Sequence, residues 1–389
     1  MRVHVAIIGG GPSGLLLGQL LLRHGITSVI LERQTRQHVL GRIRAGVLES
    51  GTVKLLRQAN ASDRLDNEAL IHNSVSLALE NQVLAIPLKE FTNTAVTIYG
   101  QTELTHDLYD ARDATEARTI FEVSDVTLHD LNEDAPYVTF RDDNSVCRVD
   151  CDFIAGCDGF HGISRKSIPS YHRQEFEKIY PFGWLGVLSK TPPVSDTLIY
   201  ARSKLGFALC SMRNANLSRY YIQCPLTDKA ADWSDDAFWT ELRRRLPQSI
   251  ANSLISGPAI EKSIAPLRSF VTEPMQYGRL FLCGDAAHIV PPTGAKGLNT
   301  AVSDVYYLYL GLSHYYRDGE EMGLEKYSER ALARVWKAVR FSWWFTNLMH
   351  DFPDQSSFDR KLQQAELSFL LENRAAQAVL AQNYVGLPY

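Results

Sequence analysis

Cysteine is scarce in this chain: six residues of 389, at 147, 151, 157, 210, 224 and 283. No C-x-x-C pair of a zinc or redox site is present, and six are too few for a disulfide framework in a chain this long. This usage points to a reducing, cytoplasmic compartment, and no metal site is expected. Long apolar runs are lacking too. The most apolar stretch, Val5 to Leu22, is interrupted by Gly9-Gly10-Gly11-Pro12-Ser13-Gly14 and by Gln19, so it falls short of the roughly 18 unbroken apolar residues of a membrane span. A signal peptide is the competing reading, because Arg2 precedes the run; the Gly-Pro-Ser turn argues against it. Nor is there an excess of one charge: 40 Lys and Arg stand against 44 Asp and Glu, for a net charge of −4. Without a local basic patch, neither nucleic acid nor an anionic membrane is expected as a partner. Internal repeats, low-complexity tracts and long polar linkers are missing as well.

What is present is core-building material, 45% hydrophobic and 10% aromatic. At roughly 150 residues per domain this suffices for two or three domains around a small-molecule pocket. Residues 3–32 predict strand, turn, helix and strand, a βαβ unit. Two more apolar strands end in Gly/Asp punctuation, Phe153 to Gly159 and Arg279 to Asp285, and fit the same parallel sheet. Between them, Thr197–Ala201, Gly206–Met212 and Ser218–Pro225 predict an inserted antiparallel sheet. From Leu298 onward the apolar spacing is helical, through Val302, Val305, Tyr309 and Leu312 and again over 324–348 and 358–380. The expected fold is mixed α/β: a Rossmann-like dinucleotide domain with a parallel sheet, an inserted antiparallel substrate sheet and a C-terminal helical region.

The chemistry begins at Gly9-x-Gly11-x-x-Gly14, which follows a strand, opens a helix through Ser13 and is answered by Glu32 about 20 residues on. Glycines let the backbone approach a pyrophosphate, the helix N-terminus offers unpaired N–H groups, and Glu32 can accept from a ribose hydroxyl. An acid there repels a 2′-phosphate, so this fingerprint suits FAD or NAD and not NADP. Asp158-Gly159 and Gly284-Asp285 are ordinary turns when taken singly. Together with the fingerprint they form the set of three found in flavoprotein hydroxylases. The segment Pro291 to Asn299 then leads into a helix whose N-terminus favours a nearby anion.

On these residues, and on Gly41 to Glu49, Tyr99 to Glu103, Ile154 to Arg165, Tyr180 to Gly186, Lys262 to Phe270 and Asn383 to Pro388, the chain resembles the single-component FAD-dependent aromatic hydroxylases, those of 4-hydroxybenzoate in particular. The resemblance runs over nearly the whole chain. It implies a 3-hydroxylation that yields 3,4-dihydroxybenzoate, uses NADPH (NADH possible) and O2, proceeds through a C4a-hydroperoxyflavin and serves aromatic-acid degradation. It also implies a homodimer built on the helical region. The implied division is 1–70, 98–178 and 267–298 for FAD, 71–97 and 179–266 for substrate, and 299–389 for the helical interface.

Residue by residue, the family holds the substrate carboxylate with Ser211, Arg213 and Tyr221; Ser211 and Arg213 are two apart in a predicted strand and so share a face. Tyr200, Tyr384 and the carbonyl of Pro292 match the phenol end, with Thr293 beside them. His72 matches the solvent end of a proton relay. Lys296 and Asn299 match positions beside the flavin, where the charge of Lys296 would support anions. Arg42, Arg44, Gln101, Asp158, Asp285, Gly297 and Leu298 match cofactor contacts, alongside Gly9, Gly11, Ser13, Gly14 and Glu32. With no second G-x-G-x-x-G, NADPH must use a groove built from several segments. Arg33, Gln34, His38, Arg44, His161, Arg165, Arg219 and Arg268 are its candidate contacts, and Arg36 adds a charge that could meet a 2′-phosphate. Two departures stand out: Gly162 where the family's D-G-x-x-S-x-x-R commonly has Ser, and His38 where NADPH-specific members commonly have Tyr. A hydroxylase of another hydroxybenzoate, or a non-catalytic dinucleotide-fold binding protein, remains the alternative.

Overall fold

The computed structural model describes residues 1–41, 46–80, 82–143 and 145–389; Arg42 and Arg44 lie outside them. The βαβ unit forms as its sequence dictates. Val5–Ile8 and Ser28–Leu31 pair in parallel, and Pro12–Leu22 is the helix between them. Pro12 starts that helix because its missing N–H costs nothing in a first turn. The strand Val5–Ile8 is buried throughout, as a central parallel strand covered on both faces must be. Its other neighbour is Phe153–Gly156, which pairs onward with Leu280–Leu282. Six strands form this sheet, and only the short edge strand Gln276–Tyr277 runs antiparallel.

A second sheet of eight strands holds Gln174–Ser189, Leu217–Pro225, Gly206–Asn214 and Ile199–Ser203 as antiparallel neighbours. Val75–Leu79 then joins in parallel beside Ile199–Ser203. The strands Gln174–Ser189 and Ala259–Glu273 each run through an expected domain boundary, with no linker. At one such boundary their pairing shifts register between Ile179 and Gly183, a bulge that bends the ribbon. A small sheet of Ser124–His129, Tyr137–Asp142 and Ser145–Asp150 has no counterpart in the sequence reading. Its outer strands are mostly exposed or half-buried and its central strand buries only Val138 and Phe140, a polar pattern that does not stand out in the sequence.

The C-terminal region is helical as expected: Gly297–Asp318, Tyr327–Met349, Ser357–Glu372 and Arg374–Val385. One apolar cluster joins the parallel sheet to the first of these helices. Another joins the large sheet to Phe341, Phe345, Leu380 and Tyr384. No helix among the described residues is long and apolar enough to cross a membrane.

Candidate functional site

The glycine turn is shaped by close backbone approach. Gly9 has φ +107°, and a Cβ there would lie 2.4 Å from the Cys157 carbonyl oxygen. At Gly14 a Cβ would lie 2.0 Å from the Gly9 carbonyl oxygen, so the helix can start this close to the strand only without a side chain. At Gly11 it would meet nothing within 4 Å, because this residue faces a cavity. Glu32 is buried and accepts the Gly10 N–H at 2.7 Å and the Gln34 N–H at 2.8 Å. Its carboxylate thus braces the turn as well as facing the cavity.

That cavity, of about 540 Å³, lies between the two large sheets. Gly9, Gly11, Ser13 and Glu32 line one part of it, with Gln101 from the start of the helix Gln101–Asp113. Asp158, Asp285, Gly297 and Leu298 line the middle, the last two in the first turn of their helix. Trp184, Arg219, Tyr221 and Pro292 close the far part. Asp158 shows that the middle suits a polar ligand. Its Oδ2 accepts both the Ser164 N–H and hydroxyl at 2.9 Å, while Oδ1 is buried with no partner among the described residues. Burial raises its pKa. An acceptor left unpaired at a cavity wall is costly unless a ligand donor meets it. Turn, unpaired acceptor and helix N-terminus together fit the phosphate, ribityl and ring parts of FAD. The Gly162 departure is resolved here: a Cβ at Gly162 would sit 2.0 Å from the Asp158 carboxyl carbon, and Ser164 supplies the hydroxyl instead.

The large sheet aligns the predicted substrate residues. Tyr200 is in register with Leu209, Leu209 with Tyr221, and Tyr221 with Gly186, so this row shares one face. Ser211, in register with Arg219, belongs to the next row of that face. Arg213 reaches the site differently from simple alternation. The pairing slips between Met212 and Asn214, leaving Arg213 in a bulge that re-aims it. Its guanidinium lies near the Tyr221 hydroxyl, and its buried Nε has no partner among the described residues. The Tyr200 and Tyr384 hydroxyls are 3.0 Å apart and fully enclosed; burial, the main cause, pushes both pKa values up. Tyr384 arrives from the last helix, 184 residues on from Tyr200.

Several expected roles are corrected. Lys296 does not point at the cavity: its Nζ pairs with Glu49 at 2.7 Å and donates to the Tyr384 carbonyl at 2.8 Å. Arg334 pairs with the other Glu49 oxygen at 2.8 Å, making a buried cation–carboxylate–cation cluster. The Asn299 side chain has no spare bonding capacity, because it accepts from Glu49 N–H and the Thr52 hydroxyl and donates to the Val47 and Ala295 carbonyls. Thr293 turns inward and accepts from the Thr346 hydroxyl. His72 is 3% exposed, not at a solvent end; it sits in Leu70–His72 with both ring nitrogens unpartnered among the described residues, and burial lowers its pKa.

The nicotinamide candidates divide. Arg33, Gln34 and His38 line the cavity beside Glu32, and Arg219 lines the far part while paired with Glu261 at 2.6 Å. His161 is exposed and packs on Phe160. Arg165 is committed elsewhere, donating to the Phe160 and Ala286 carbonyls. It stacks on Phe160 from one direction as Arg268 does from another, and Arg268 also pairs with Glu177. The charge of Arg36 is answered by Asp110 and Asp113, which leaves little for a 2′-phosphate.

Sequence reasoning missed Trp184, Ser164, Arg334 and the pair His288–Asp304. Glu49, Ser164 and Trp184 stood inside quoted motifs without a role, and none was assigned to Arg334 or to the His288–Asp304 pair. His288 and Asp304 are both fully enclosed and 2.6 Å apart, and Asp304 also accepts the Gly284 N–H at 2.9 Å. Burial lowers the His288 pKa, but attraction and hydrogen bonding from Asp304 outweigh it and the net shift is upward. With a folded pKa above the unfolded value near 6.5, the pair's contribution is complete below that pH and is lost as pH rises through the folded pKa. Thermal denaturation across neutral and mildly alkaline pH should therefore show stability falling, and Asp304→Asn should remove that part of the slope. An unchanged slope in the variant would count against it.

Residues 2–342 match the family described as FAD binding domain. The chain is 54% identical, over 100% of its length and 96% of the relative's, to p-hydroxybenzoate hydroxylase of Acinetobacter baylyi. It is 24% identical to a 3-(3-hydroxy-phenyl)propionate/3-hydroxycinnamic acid hydroxylase of Burkholderia vietnamiensis, over 78% of this chain and 55% of that one. Among solved structures, p-nitrophenol 4-monooxygenase from Pseudomonas putida superposes over 100% of both chains with TM-score 0.80 at 15% identity, a likeness of fold alone.

Proposed function

The chain belongs to the family of FAD-dependent aromatic hydroxylases, and from that premise we propose that it converts 4-hydroxybenzoate, NAD(P)H, a proton and O2 into 3,4-dihydroxybenzoate, NAD(P)+ and water. The observation that carries the substrate reading is the shared face of the large sheet. There Arg213, with its unpartnered buried Nε, stands beside Tyr221 and Ser211, and the Tyr200–Tyr384 hydroxyl pair stands along the same row. A cation fork and a hydroxyl pair are the groups that a para-substituted phenol carboxylate needs at its two ends.

Bound FAD would supply two-electron reduction by the nicotinamide and transfer of one oxygen atom from O2. The glycine turn and the start of Pro12–Leu22 would hold its pyrophosphate, Glu32 its adenosine ribose, and Asp158 and Asp285 its ribityl chain. The N-terminus of Gly297–Asp318, where backbone N–H groups favour negative charge, would serve its ring. Arg213, Ser211 and Tyr221 fix the substrate carboxylate and with it the position of the ring. Tyr200 and Tyr384 stay protonated because burial disfavours their anions. Of the two hydroxyl protons one closes the hydrogen bond between them, and the other is available to the substrate oxygen. That donation lowers a phenol pKa from about 10 toward the phenolate that electrophilic attack at the ortho carbon requires. Behind the tyrosines, Lys296 and Arg334 against Glu49 leave one net positive charge, which also favours the anion.

The domains divide as 1–70, 98–178 and 267–298 for FAD, 71–97 and 179–266 for substrate, and 299–389 for the helical part. Arg33 and Gln34 match NADPH-using members while His38 departs from them, so NADPH is preferred and NADH is also accepted. The exposed side chains Phe358, Leu362 and Phe369, spaced along one helix, supply an apolar stripe for a homodimer, and the enzyme works in the cytoplasm.

The deciding experiment mixes FAD-loaded protein anaerobically with NADPH or NADH, with and without a panel of hydroxybenzoates, and follows flavin bleaching. 4-Hydroxybenzoate should accelerate reduction more than its 2- and 3-hydroxy isomers, and 3,4-dihydroxybenzoate should accumulate once O2 is admitted. Failure of either result refutes the proposal. Arg213→Ala should weaken 4-hydroxybenzoate binding about 10- to 150-fold, the loss of a charge-assisted hydrogen bond worth about 1.5–3 kcal/mol. A spectral titration that found unchanged binding would remove Arg213 from the site.

A further inference from the structure

Six unpaired cysteines are scattered through the chain, but tertiary structure brings two of them together. Phe153–Gly156 and Leu280–Leu282 are parallel neighbours with Gly156 in register with Leu282, so the residues that follow, Cys157 and Cys283, lie side by side. The Cys283 N–H donates to the Gly156 carbonyl at 2.9 Å, which extends the pairing to this pair. The two thiols lie near enough to influence each other, and both line the cavity. Cys283 is buried and its Sγ also lies 3.3 Å from the Tyr327 hydroxyl. Cys157 is half-buried, its chain passing under the glycine turn at Gly9. Adjacent strands run about 4.8 Å apart, inside the roughly 4.4–6.8 Å between Cα atoms that a disulfide spans. Asp158 and Asp285, the two carboxylates of the cofactor cavity, follow these cysteines by one and two residues.

We propose that Cys157 and Cys283 form an oxidation-sensitive dithiol beneath the cofactor site, which hydrogen peroxide links to a disulfide in the FAD-free protein and which bound FAD shields. The step is balanced: two thiols and one hydrogen peroxide give one disulfide and two waters. One thiol loses its proton and attacks a peroxide oxygen, forming a sulfenic acid and releasing water; the second thiol then displaces the sulfenic oxygen as a second water. Peroxide is the product when a flavoprotein reduces O2 without hydroxylating a substrate. Contact with Cys283 and burial push the Cys157 thiol well above its usual range, so linking in the FAD-free protein should be slow at neutral pH and speed up as pH rises. The disulfide locks the chain immediately before Asp158 and Asp285 and places two linked sulfurs in the cavity wall, so the oxidised protein cannot take FAD back.

The proposal rests on the cavity being the FAD site, and the test separates the two claims. Apoprotein treated with peroxide and digested should yield a Cys157–Cys283 linked peptide by mass spectrometry and lose FAD uptake, followed by flavin fluorescence quenching; dithiothreitol should restore both. With FAD at about 100 times its dissociation constant, the free fraction and therefore the linking rate should fall about 100-fold. Cys283→Ala and Cys157→Ser should each keep FAD uptake after the same treatment. Absence of the linked peptide, equal linking with FAD bound, or equal loss of uptake in both variants overturns the dithiol. Fully reduced protein that takes up no FAD overturns the cofactor reading itself.

Discussion

Glu49→Ala is expected to lower folding stability by about 3–5 kcal/mol, the cost of stranding buried charge. Glu49 is the one anion between Lys296 and Arg334, and all three side chains are nearly inaccessible. Its removal leaves two buried cations facing each other without a counter-ion. Neither can relax into water. Lys296 is tied to the Tyr384 carbonyl, and Arg334 to the carbonyls of Leu387 and Pro388, so the loss also loosens the segment that carries Tyr384. Glu49→Gln should be milder, since the amide keeps a hydrogen-bond acceptor while losing the charge. The double variant Glu49→Ala/Arg334→Ala should recover part of the loss, because one unpaired cation disappears with its partner. Urea denaturation of these proteins together with Arg334→Ala checks this order, and strict additivity in the double variant would show that the cluster does not act as a unit.

Tyr384→Phe should slow hydroxylation about 100-fold, the scale on which removing one positioned proton donor or acceptor acts, while 4-hydroxybenzoate binding changes only a few-fold. The asymmetry follows from placement. Tyr384 meets Tyr200 through its hydroxyl, and the binding groups Ser211, Arg213 and Tyr221 lie farther along the sheet face. Phenylalanine keeps the ring packing against Tyr200 and leaves the Tyr200 hydroxyl without its partner. Single-turnover kinetics after oxygen admission, beside a spectral titration of substrate, separates the two effects. Unchanged hydroxylation with weakened binding would make Tyr384 a packing residue. The substrate phenol pKa in the complex should rise in the variant, a readout that a purely structural role would not move.

Much of the fold could be read from sequence, because its signals are local. The strand, glycine turn, helix and acid of residues 5–32 are fixed by contacts within one βαβ unit, and the helices after 297 by apolar spacing along one face. The sheet of residues 124–150 was not legible, since its strands are short, polar on one face and not marked by a chemical motif. Arg213 was legible as a residue but not as a bulge: register depends on the partner strand at Leu217–Pro225, which no alternation rule within Gly206–Asn214 contains. The same holds for Lys296 and Asn299. Their position beside the flavin-facing helix could be inferred, but side-chain direction is set by Glu49, about 250 residues earlier, and by the need to satisfy every buried polar group.

By itself the sequence determined the dinucleotide turn, the acid at residue 32, the helical tail and the chemical class of the partner, a small aromatic acid and two cofactors. The turn, the acid and the helical tail follow from short-range sterics, periodicity and motif spacing, while the partner class follows only from the resemblance to flavoprotein hydroxylases that those motifs carry. Tertiary structure alone decided which charges remain available. It paired Arg36 and Lys296 with carboxylates, buried His72, left the Asp158 and Arg213 atoms unpaired at the site, and set two of the six scarce cysteines side by side. Electrostatics and hydrogen bonding depend on distance in space, and these partners lie between six and about 250 residues apart along the chain.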